Sequence, residues 1–215
     1  PFNSDEAIVG LMAKHILSGE RPIFFYGQAY MGSLDAYFVA WGFSMFGEHV
    51  WVIRAVQVLL YAITLLFVYF TVIITFDDTK AAFFSSLLMV FAPVVVVLYT
   101  SVSLGGYGEA LSIGMGVVLL TSKILKNPVS FILGRSWLVL LLIGFLAGVG
   151  LWANALSLVF TIPGIACIIY QIYRIKKTKV LASGGWIFLG GLAGSSLWWY
   201  SLLFTQGISV FQEIT

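Results

Sequence analysis

Charged residues are scarce in this sequence. Only 9% of its 215 residues are Asp, Glu, Lys or Arg, whereas 60% are hydrophobic and 16% are aromatic, and the mean hydropathy is +1.03. Too few polar residues remain to cover a soluble domain of this size, and the composition is typical of an integral membrane protein. The formal net charge of +2 therefore does not indicate a nucleic-acid partner, and we expect none.

Cysteine is almost absent as well, which excludes a disulfide framework. The single Cys167 lies within an apolar run, and we interpret it as a small buried hydrophobe. The sequence contains no HExxH, no CxxC and no acid-x-acid triplet, so no preformed metal site is predicted. It begins at Pro1 without a basic segment and a short apolar run. No signal peptide is therefore visible, and we expect an internal piece of a longer chain, truncated at both ends.

Long uncharged runs predict an all-α bundle of about six spanning helices, because about 20 apolar residues cross a hydrocarbon core of about 30 Å. The predicted spans are residues 55–76, residues 81–100 with an interruption at Pro93, residues 107–125, two antiparallel spans within residues 136–173, and residues 180–204. Residues 136–173 carry no charge, and one straight helix of that length would measure about 57 Å. We therefore predict a corner in GVGLWAN, at residues 150–154.

Small residues recur along the last predicted span. They are Gly184, Gly185, Gly190, Gly191, Gly194, Ser195 and Ser196. In lipid, small residues let neighbouring helices approach closely. We therefore predict a helix-packing surface here, with a ligand groove as the weaker alternative.

The charges separate onto the two sides of this layout. Eight of the eleven basic residues share one side: Lys80, Lys123, Lys126, Arg135, Arg174, Lys176, Lys177 and Lys179. Seven of the nine acids share the other side: Asp5, Glu6, Glu20, Asp35, Glu48, Glu109 and Glu213. Basic loops face the cytoplasm, so we expect every candidate catalytic carboxylate on the extracytoplasmic face.

We predict that residues 1–48, which precede the first span, form an extracytoplasmic segment with two interfacial helices. Residues 49–215 are predicted to form the transmembrane bundle. In the first helix Asn3 and Glu6 have the spacing of a capping box, and Gly19 ends the helix. Its apolar stripe consists of Ile8, Val9, Leu11, Met12, Ile16 and Leu17. The second helix is predicted at residues 30–46, where Leu34, Phe38, Trp41 and Met45 recur at helical spacing.

Two carboxylate positions are candidates for chemistry. Asp5 and Glu6 stand together at the head of the first helix, and Glu109 opens a span directly after GGYG. Ionisable groups near membrane depth are functional candidates. The alternative for all three is structural, because acids in the first turn of any helix are favoured by its macrodipole.

Few cations are available on the predicted outer face. They are Lys14, His15, Arg21, His49 and Arg54. Arg54, at the mouth of the first span, is the best placed to meet a phosphate. Its alternative role is that of an interfacial anchor whose stem is buried in lipid.

The order of these segments resembles a known family. HILSGERPIFFYGQAYMGSLDAY follows the acidic pair, a span then opens with VWVIRAVQVLL, and SVSLGGYGEALSIG and GLWANALSLVFTIPGI come later. This pattern is similar to the first outer loop and following helices of membrane glycosyltransferases of the C-type fold. The branch it resembles contains the dolichyl-phosphate-mannose protein mannosyltransferases and the lipid A aminoarabinose transferase.

The resemblance implies an inverting transfer of a sugar from a polyprenyl phosphate to a hydroxyl or amine of a lipid, glycan or protein. It implies a multi-pass protein of a prokaryotic plasma membrane that is active on the extracytoplasmic side. In this comparison Asp5 matches the catalytic base, and Glu6 orients the base or the acceptor. Glu109 matches a second carboxylate that holds the acceptor, the donor phosphate or, in some members, a divalent metal. No other cofactor is implied.

Further substrate contacts are expected at residues of the outer segment and the GGYG loop. Asp35 stands where the aminoarabinose transferases carry an acid beside a Lys-Pro-Pro run, which this sequence lacks. The remaining candidates are Lys14, His15, Tyr26, Gln28, Tyr30, Arg54 and Tyr107. The rival hypotheses are a membrane transporter, whose acids line a permeation path, and a helical bundle without catalytic activity.

Overall fold

The computed structural model describes residues 3–134 and 137–204. The helices are α1 (Ser4–Leu17), α2 (Leu34–Phe46), α3 (Val50–Phe76), α4 (Thr79–Val90), α5 (Val94–Ser101), α6 (Tyr107–Lys126), α7 (Pro128–Leu133), α8 (Trp137–Ala153), α9 (Leu158–Lys176), α10 (Val180–Gly194) and α11 (Ser196–Phe204). Strands β1 (Phe24–Phe25) and β2 (Gln28–Gly32) form one antiparallel hairpin. Arg135 and Glu213, which entered the charge count, lie outside the described residues.

The predicted all-α architecture is confirmed, and three helical segments are long and apolar enough to cross a membrane. They are Val50–Phe76, Tyr107–Lys126 and Ala155–Gly194. Thr79–Val90 and Trp137–Ala153 are apolar but shorter. The interruption predicted at Pro93 is confirmed, because this residue precedes the first turn of α5.

The segment Ala155–Gly194 is not straight but folds back at the 3₁₀ turn Lys177–Lys179. At its beginning, a Cβ on Gly150 of α8 would lie 2.8 Å from Ser157 Oγ. At its end, a Cβ on Gly194 would lie 2.1 Å from Phe145 O, also on α8. Both ends therefore lie near the last turns of α8. At the turn, Lys179 Nζ donates a hydrogen bond to Ile132 O of α7.

The predicted corner between two antiparallel helices is confirmed. Helix α8 ends at Ala153, Asn154 caps a single 3₁₀ turn through its side-chain oxygen, and α9 begins at Leu158. Asn154 Oδ1 accepts a hydrogen bond from Leu156 N at 3.0 Å. An asparagine side chain can satisfy backbone amides at a helix start, which explains why the chain reverses here with almost no loop.

Helices α8 and α10 pack together through glycines. A Cβ on Gly144 would lie 2.0 Å from Ile187 O, and one on Gly190 would lie 2.1 Å from Leu141 O. The packing role predicted for the small residues is thus confirmed at Gly190 and Gly194. It is wrong at Gly184 and Gly185, where a Cβ would have nothing within 4 Å, because these two residues lie away from α8.

This difference predicts the effects of two matched substitutions in α10. Gly190→Ala is expected to lower the free energy of unfolding by about 1–3 kcal/mol, since the added methyl group forces the two backbones apart. Gly184→Ala is expected to be neutral or slightly stabilising, because alanine is the better helix former. Thermal unfolding of the detergent-solubilised protein measures both. Equal destabilisation by the two alanines would contradict the packing described.

The outer segment packs on α3 through a single apolar cluster. Its fully buried members include Val9 and Met12 of α1, Val39 of α2 and Val52 of α3. The capping box predicted for α1 is confirmed, because Asn3 N donates to Glu6 Oε2 at 3.2 Å and Asn3 Oδ1 accepts from Asp5 N at 3.4 Å. Of the predicted stripe, Leu11 and Leu17 are exposed.

The second outer helix was predicted four residues too early. Helix α2 begins at Leu34, and Tyr30 belongs to strand β2. Residues Gln28–Gly32 form a strand and not a helix, because the two ends of this segment pair with Phe25 and Phe24. The apolar stripe of α2 is real but faces outward, since Trp41 is 63% exposed and Met45 is 58% exposed.

Two further predictions are corrected by the structure. The last predicted span is not one helix, because α10 ends at Gly194 and α11 begins at Ser196. Cys167 is exposed on α9, whereas we expected it to be buried. An apolar run predicts burial only in a water-soluble protein, and helices that face lipid are apolar on their outer surface as well.

Candidate functional site

Three loops that are distant in sequence meet at one end of the bundle. Trp152 Nε1, near the end of α8, donates to Ile23 O of the outer segment at 3.0 Å. Asn154 Nδ2 donates to Gly105 O, before α6, at 3.4 Å. Gly106 has φ +77°, and a Cβ there would lie 2.6 Å from Ala153 O. A glycine at position 106 is therefore required for this close approach, whatever else the loop does.

The adjacent acids Asp5 and Glu6 have different surroundings. Glu6 is 0% exposed and receives two hydrogen bonds from Arg54, with Nε to Oε1 at 3.0 Å and Nη2 to Oε2 at 3.1 Å. Asp5 is partly exposed, and its carboxylate makes no recorded hydrogen bond or ion pair within residues 3–134 and 137–204. Neighbouring helical residues point about 100° apart, which explains the separation.

The Glu6–Arg54 pair fixes α1 against α3. Burial by itself would raise the pKa of the Glu6 carboxyl, but the hydrogen bonds and charge of Arg54 and the amide of Asn3 outweigh it, so this pKa lies below its ordinary value. Arg54 was predicted to meet a phosphate, and 45% of its side chain is exposed in this pairing. Glu6 is therefore a buried partner of Arg54 that does not face solvent.

The lowered pKa of Glu6 predicts a pH-dependent contribution to stability. A carboxyl whose pKa is lower in the folded state stabilises the fold above its unfolded pKa, and this contribution is lost as the pH falls through the folded value. The unfolding midpoint of the wild type should therefore fall more steeply below pH 4.5 than that of Glu6→Gln. Thermal unfolding between neutral and acidic pH measures the difference, and parallel curves would contradict the assignment.

Asp35 and Glu109, predicted separately from the sequence, are brought together in a buried polar cluster. Each is 1% exposed. Asp35 Oδ1 accepts a hydrogen bond from Gln57 Nε2 at 2.8 Å, and Asp35 Oδ2 accepts one from Ser103 Oγ. Burial raises the pKa of Asp35 to about 6, against the opposing effect of these hydrogen bonds.

Glu109 has no such hydrogen bonds. Neither of its carboxylate oxygens has a hydrogen-bonding partner in the described part of the chain, although Asp35 and Gln57 are its polar neighbours. A buried ionised carboxylate is energetically costly. Asp35 and Glu109 therefore cannot both carry a full negative charge at this position.

Sequence reasoning missed Gln57 and Ser103. Gln57 is the only side-chain amide in residues 55–76, and an amide within a spanning run could have been recognised as the partner of a buried acid. Nothing in the local pattern around Ser103 distinguishes it from any other loop serine. Its position beside Asp35 follows only from the way the loop before α6 crosses α2.

An apolar cleft of about 500 Å³ opens between α5, α6 and the start of α9. Its lining residues are Val96, Tyr99, Thr100, Tyr107, Ala110, Leu111, Leu156, Val159 and Phe160. The rings of Tyr99 and Tyr107 meet edge to face with centroids 4.8 Å apart. Tyr107 also lies within electrostatic range of Asp5 and Tyr30. The tyrosine end of the cleft therefore lies within electrostatic range of Asp5.

The other predicted contact residues make their recorded polar contacts within the outer segment. His15 Nδ1 and Tyr26 Oη are 3.0 Å apart, and Tyr26 donates to Glu20 Oε2 at 3.0 Å. Lys14 pairs with Glu48 at 2.7 Å. Tyr30 donates to the side-chain oxygen of Gln28 at 3.1 Å.

No group of three or more His, Cys, Asp or Glu side chains that could hold a metal occurs among the described residues. Comparison of the chain with protein-family models, with curated proteins and with solved structures finds no match. The fold and its contacts define a helical bundle in which three segments are able to cross a membrane. In the same bundle, α2, α3, α6 and the loop before α6 together bury a pair of carboxylates, Asp35 and Glu109.

Proposed function

We propose that the protein is an integral membrane glycosyltransferase that moves a sugar from a polyprenyl phosphate to an acceptor hydroxyl or amine. The observation that carries the proposal is the position of Asp5. Its carboxylate has no recorded hydrogen bond or ion pair with the described residues, and it lies within electrostatic range of Tyr107, which lines one end of an apolar cleft of about 500 Å³. A partly exposed carboxylate within range of an apolar cleft suits a substrate that is polar at one end and a lipid at the other.

The proposal includes six membrane crossings with the Asp5 end outside. The first is α3, the second is α4 with α5, and the third is α6. Helices α8 and α9 are the fourth and fifth, and α10 with α11 is the sixth. Lys126 and Asp77 are 3.6 Å apart, so the ends of α3 and α6 lie side by side. In the proposed orientation this end carries the basic loops and faces the cytoplasm, in keeping with the positive-inside rule.

In the proposed reaction Asp5 is the general base. The acceptor oxygen or nitrogen gives its proton to the Asp5 carboxylate as it attacks the anomeric carbon, and the bond from that carbon to the phosphate oxygen breaks on the opposite face. The configuration is thereby inverted, and polyprenyl phosphate leaves with the electron pair. Arg54 supplies positive charge near the leaving phosphate. The polyprenyl chain occupies the apolar cleft.

The experiment that tests this function uses the full-length protein in vesicles with radiolabelled polyprenyl-phosphate sugars. A panel of hexosyl and pentosyl donors is offered together with membrane lipid, glycan and peptide acceptors. We expect loss of label from one donor and its appearance in one acceptor with inverted anomeric configuration. Intact donors throughout the panel would leave a non-catalytic helical bundle as the better description.

A membrane transporter is the second candidate, and the buried carboxylates Asp35 and Glu109 favour it. Transport sites commonly use buried acids on broken helices. Glu109, however, lies in the first turn of α6, at the end of the span and not at its middle. Flux assays in proteoliposomes distinguish the two functions, since a transporter moves solute without breaking a glycosidic bond.

A further inference from the structure

A second cavity lies at the end of the bundle opposite the corner between α8 and α9. It holds about 200 Å³, and its walls come from the first turns of α8 and α10 and from the turn before α10. Its lining residues include Trp137, Leu140, Lys179, Ser183 and Trp186. Trp137 lies about 22 Å along α8 from Trp152, at a rise of about 1.5 Å per residue. The cavity is therefore separate from the candidate site.

The chain around this cavity carries positive charge and no negative charge. Between Glu109 and Glu213 the sequence contains seven basic residues and no acid. Four of the seven lie close together, where α9 leads into α10: Arg174, Lys176, Lys177 and Lys179. The ion pairs found in the described part of the chain leave all four without an acidic partner. The elements that form the cavity therefore attract an anion.

Two polar side chains of the cavity keep donors that the chain does not use. Lys179 Nζ donates one hydrogen bond, to Ile132 O, whereas an ammonium group has three donors. Ser183 is 7% exposed, and its hydroxyl makes no recorded hydrogen bond within residues 3–134 and 137–204. The hydroxyls of Ser86 and Ser195, in contrast, donate to the carbonyl four residues earlier. The Ser183 hydroxyl is thus available to a ligand in the cavity.

Two helix beginnings add to the attraction for an anion. Helices α8 and α10 run parallel, because Gly144 lies against Ile187 and Gly148 against Gly191 one turn further on. Both therefore begin at the cavity. The N-cap residue of α10 makes no side-chain hydrogen bond to the first turn. The amides at a helix N-terminus carry partial positive charge and bind phosphate groups.

The aromatic wall of the cavity indicates that the anion belongs to a lipid. The rings of Trp137 and Trp186 have centroids 5.2 Å apart, and both side chains are partly exposed. Tryptophan concentrates at the level of the lipid headgroups. The volume of about 200 Å³ is below the range of about 300–1,000 Å³ for drug-sized ligands. It is therefore suited to one headgroup phosphate and not to a whole lipid.

We propose that this cavity binds the phosphate of an anionic phospholipid. Lys179 and Ser183 donate hydrogen bonds to the phosphate oxygens, and the glycerol end of the lipid lies against Trp137 and Trp186. Basic pockets between spanning helices are known to hold anionic headgroups. The bound lipid joins α8, α10 and the basic turn. This role goes beyond the proposed sugar transfer, which takes place at the other end of the bundle.

The first measurement uses the full-length wild type, freed of lipid in a neutral detergent. Phosphatidylglycerol, phosphatidylcholine and inorganic phosphate are added separately at the same concentration. We expect native mass spectrometry to show one saturable phosphatidylglycerol per chain. Only this lipid should raise the thermal unfolding midpoint, because a ligand that binds the folded state stabilises it.

The second measurement compares three variants in phosphatidylglycerol binding. Lys179→Met should weaken it by at least about tenfold, the loss of one hydrogen bond between charged groups. Ser183→Ala should weaken it by about threefold or more, and it tests the site if Lys179→Met fails to fold. Lys176→Met is the control, because Lys176 is exposed and does not line the cavity. It should cost at most about fivefold, the contribution of one lysine near an anionic surface.

Three results would overturn the lipid site. Retention of phosphatidylcholine as tight as that of phosphatidylglycerol would show that charge does not select the lipid. An equal rise of the midpoint with inorganic phosphate would identify a free anion as the ligand. Equal losses in Lys176→Met and Lys179→Met, with none in Ser183→Ala, would reduce the site to diffuse attraction by the basic turn. The labelled-donor assay measures sugar transfer separately, so either proposal can fail without the other.

Discussion

Asp5→Asn is expected to reduce sugar transfer by about 10²- to 10⁴-fold, the usual contribution of a general base. Asparagine has the same size and keeps the first turn of α1, but it cannot accept the acceptor's proton. Because the Asp5 carboxylate has no recorded hydrogen bond or ion pair with the described residues, its replacement should lower the free energy of unfolding only by about 0.3–1 kcal/mol, through the lost interaction with the helix macrodipole. The loss should therefore appear in kcat and not in the amount of folded protein.

The control for Asp5 is Glu20→Gln, an exposed acid of the same outer segment that pairs with Tyr26. This variant should transfer sugar at the wild-type rate. Release of labelled sugar from the polyprenyl phosphate measures both variants. Undiminished turnover by Asp5→Asn would remove Asp5 as the base.

Trp152→Ala is expected to lower the free energy of unfolding by about 3–5 kcal/mol, the usual cost of truncating a buried aromatic side chain. Trp152 is 5% exposed, and its indole joins the end of α8 to the outer segment through Ile23 O at 3.0 Å. Its own carbonyl lies 2.5 Å from where a Cβ of Gly32 would be. The residue therefore connects two loops of the site.

Trp152→Phe provides the matched comparison, because it keeps an aromatic ring and removes the indole hydrogen bond. We expect a loss of about 0.5–1.5 kcal/mol from that bond, in addition to a small packing defect. Chemical unfolding in detergent measures both variants. Equal and small losses would show that Trp152 is dispensable for joining the corner to the outer segment.

The local features of the chain were predictable because short-range forces decide them. The capping box of Asn3 and Glu6, the break at Pro93 and the corner at Asn154 were all predicted and are confirmed. Each depends on a hydrogen bond or a steric clash within a few residues. The predicted start of α2 was wrong because it depends on a contact outside the segment itself. Tyr30 lies in strand β2, which pairs with residues 24–25.

Part of the candidate site was also visible in the sequence. Asp5, Glu6, Asp35 and Glu109 were all selected as scarce acids with one expected sidedness, and Glu6, Asp35 and Glu109 are found buried at the same end of the bundle. Their pairing was not predicted. Arg54 meets Glu6 across 48 positions of sequence, and no local pattern specifies that distance.

The sequence by itself determined the class of this protein. A scarcity of charge and the length of the apolar runs suffice to predict helices that can cross a membrane, since hydrocarbon admits only segments whose backbone hydrogen bonds are satisfied internally. The positions of the caps, the break and the corner followed from local chemistry as well.

Only the tertiary structure decided which acids are exposed and which are paired. It separated Asp5 from Glu6, exposed Cys167 and brought Asp35, Gln57 and Glu109 together. The physical reason is that these outcomes depend on how α2, α3 and α6 pack. Packing is set by close contacts between surfaces far apart in sequence, such as Gly108 against Gln57, and such contacts have no signature in any single segment.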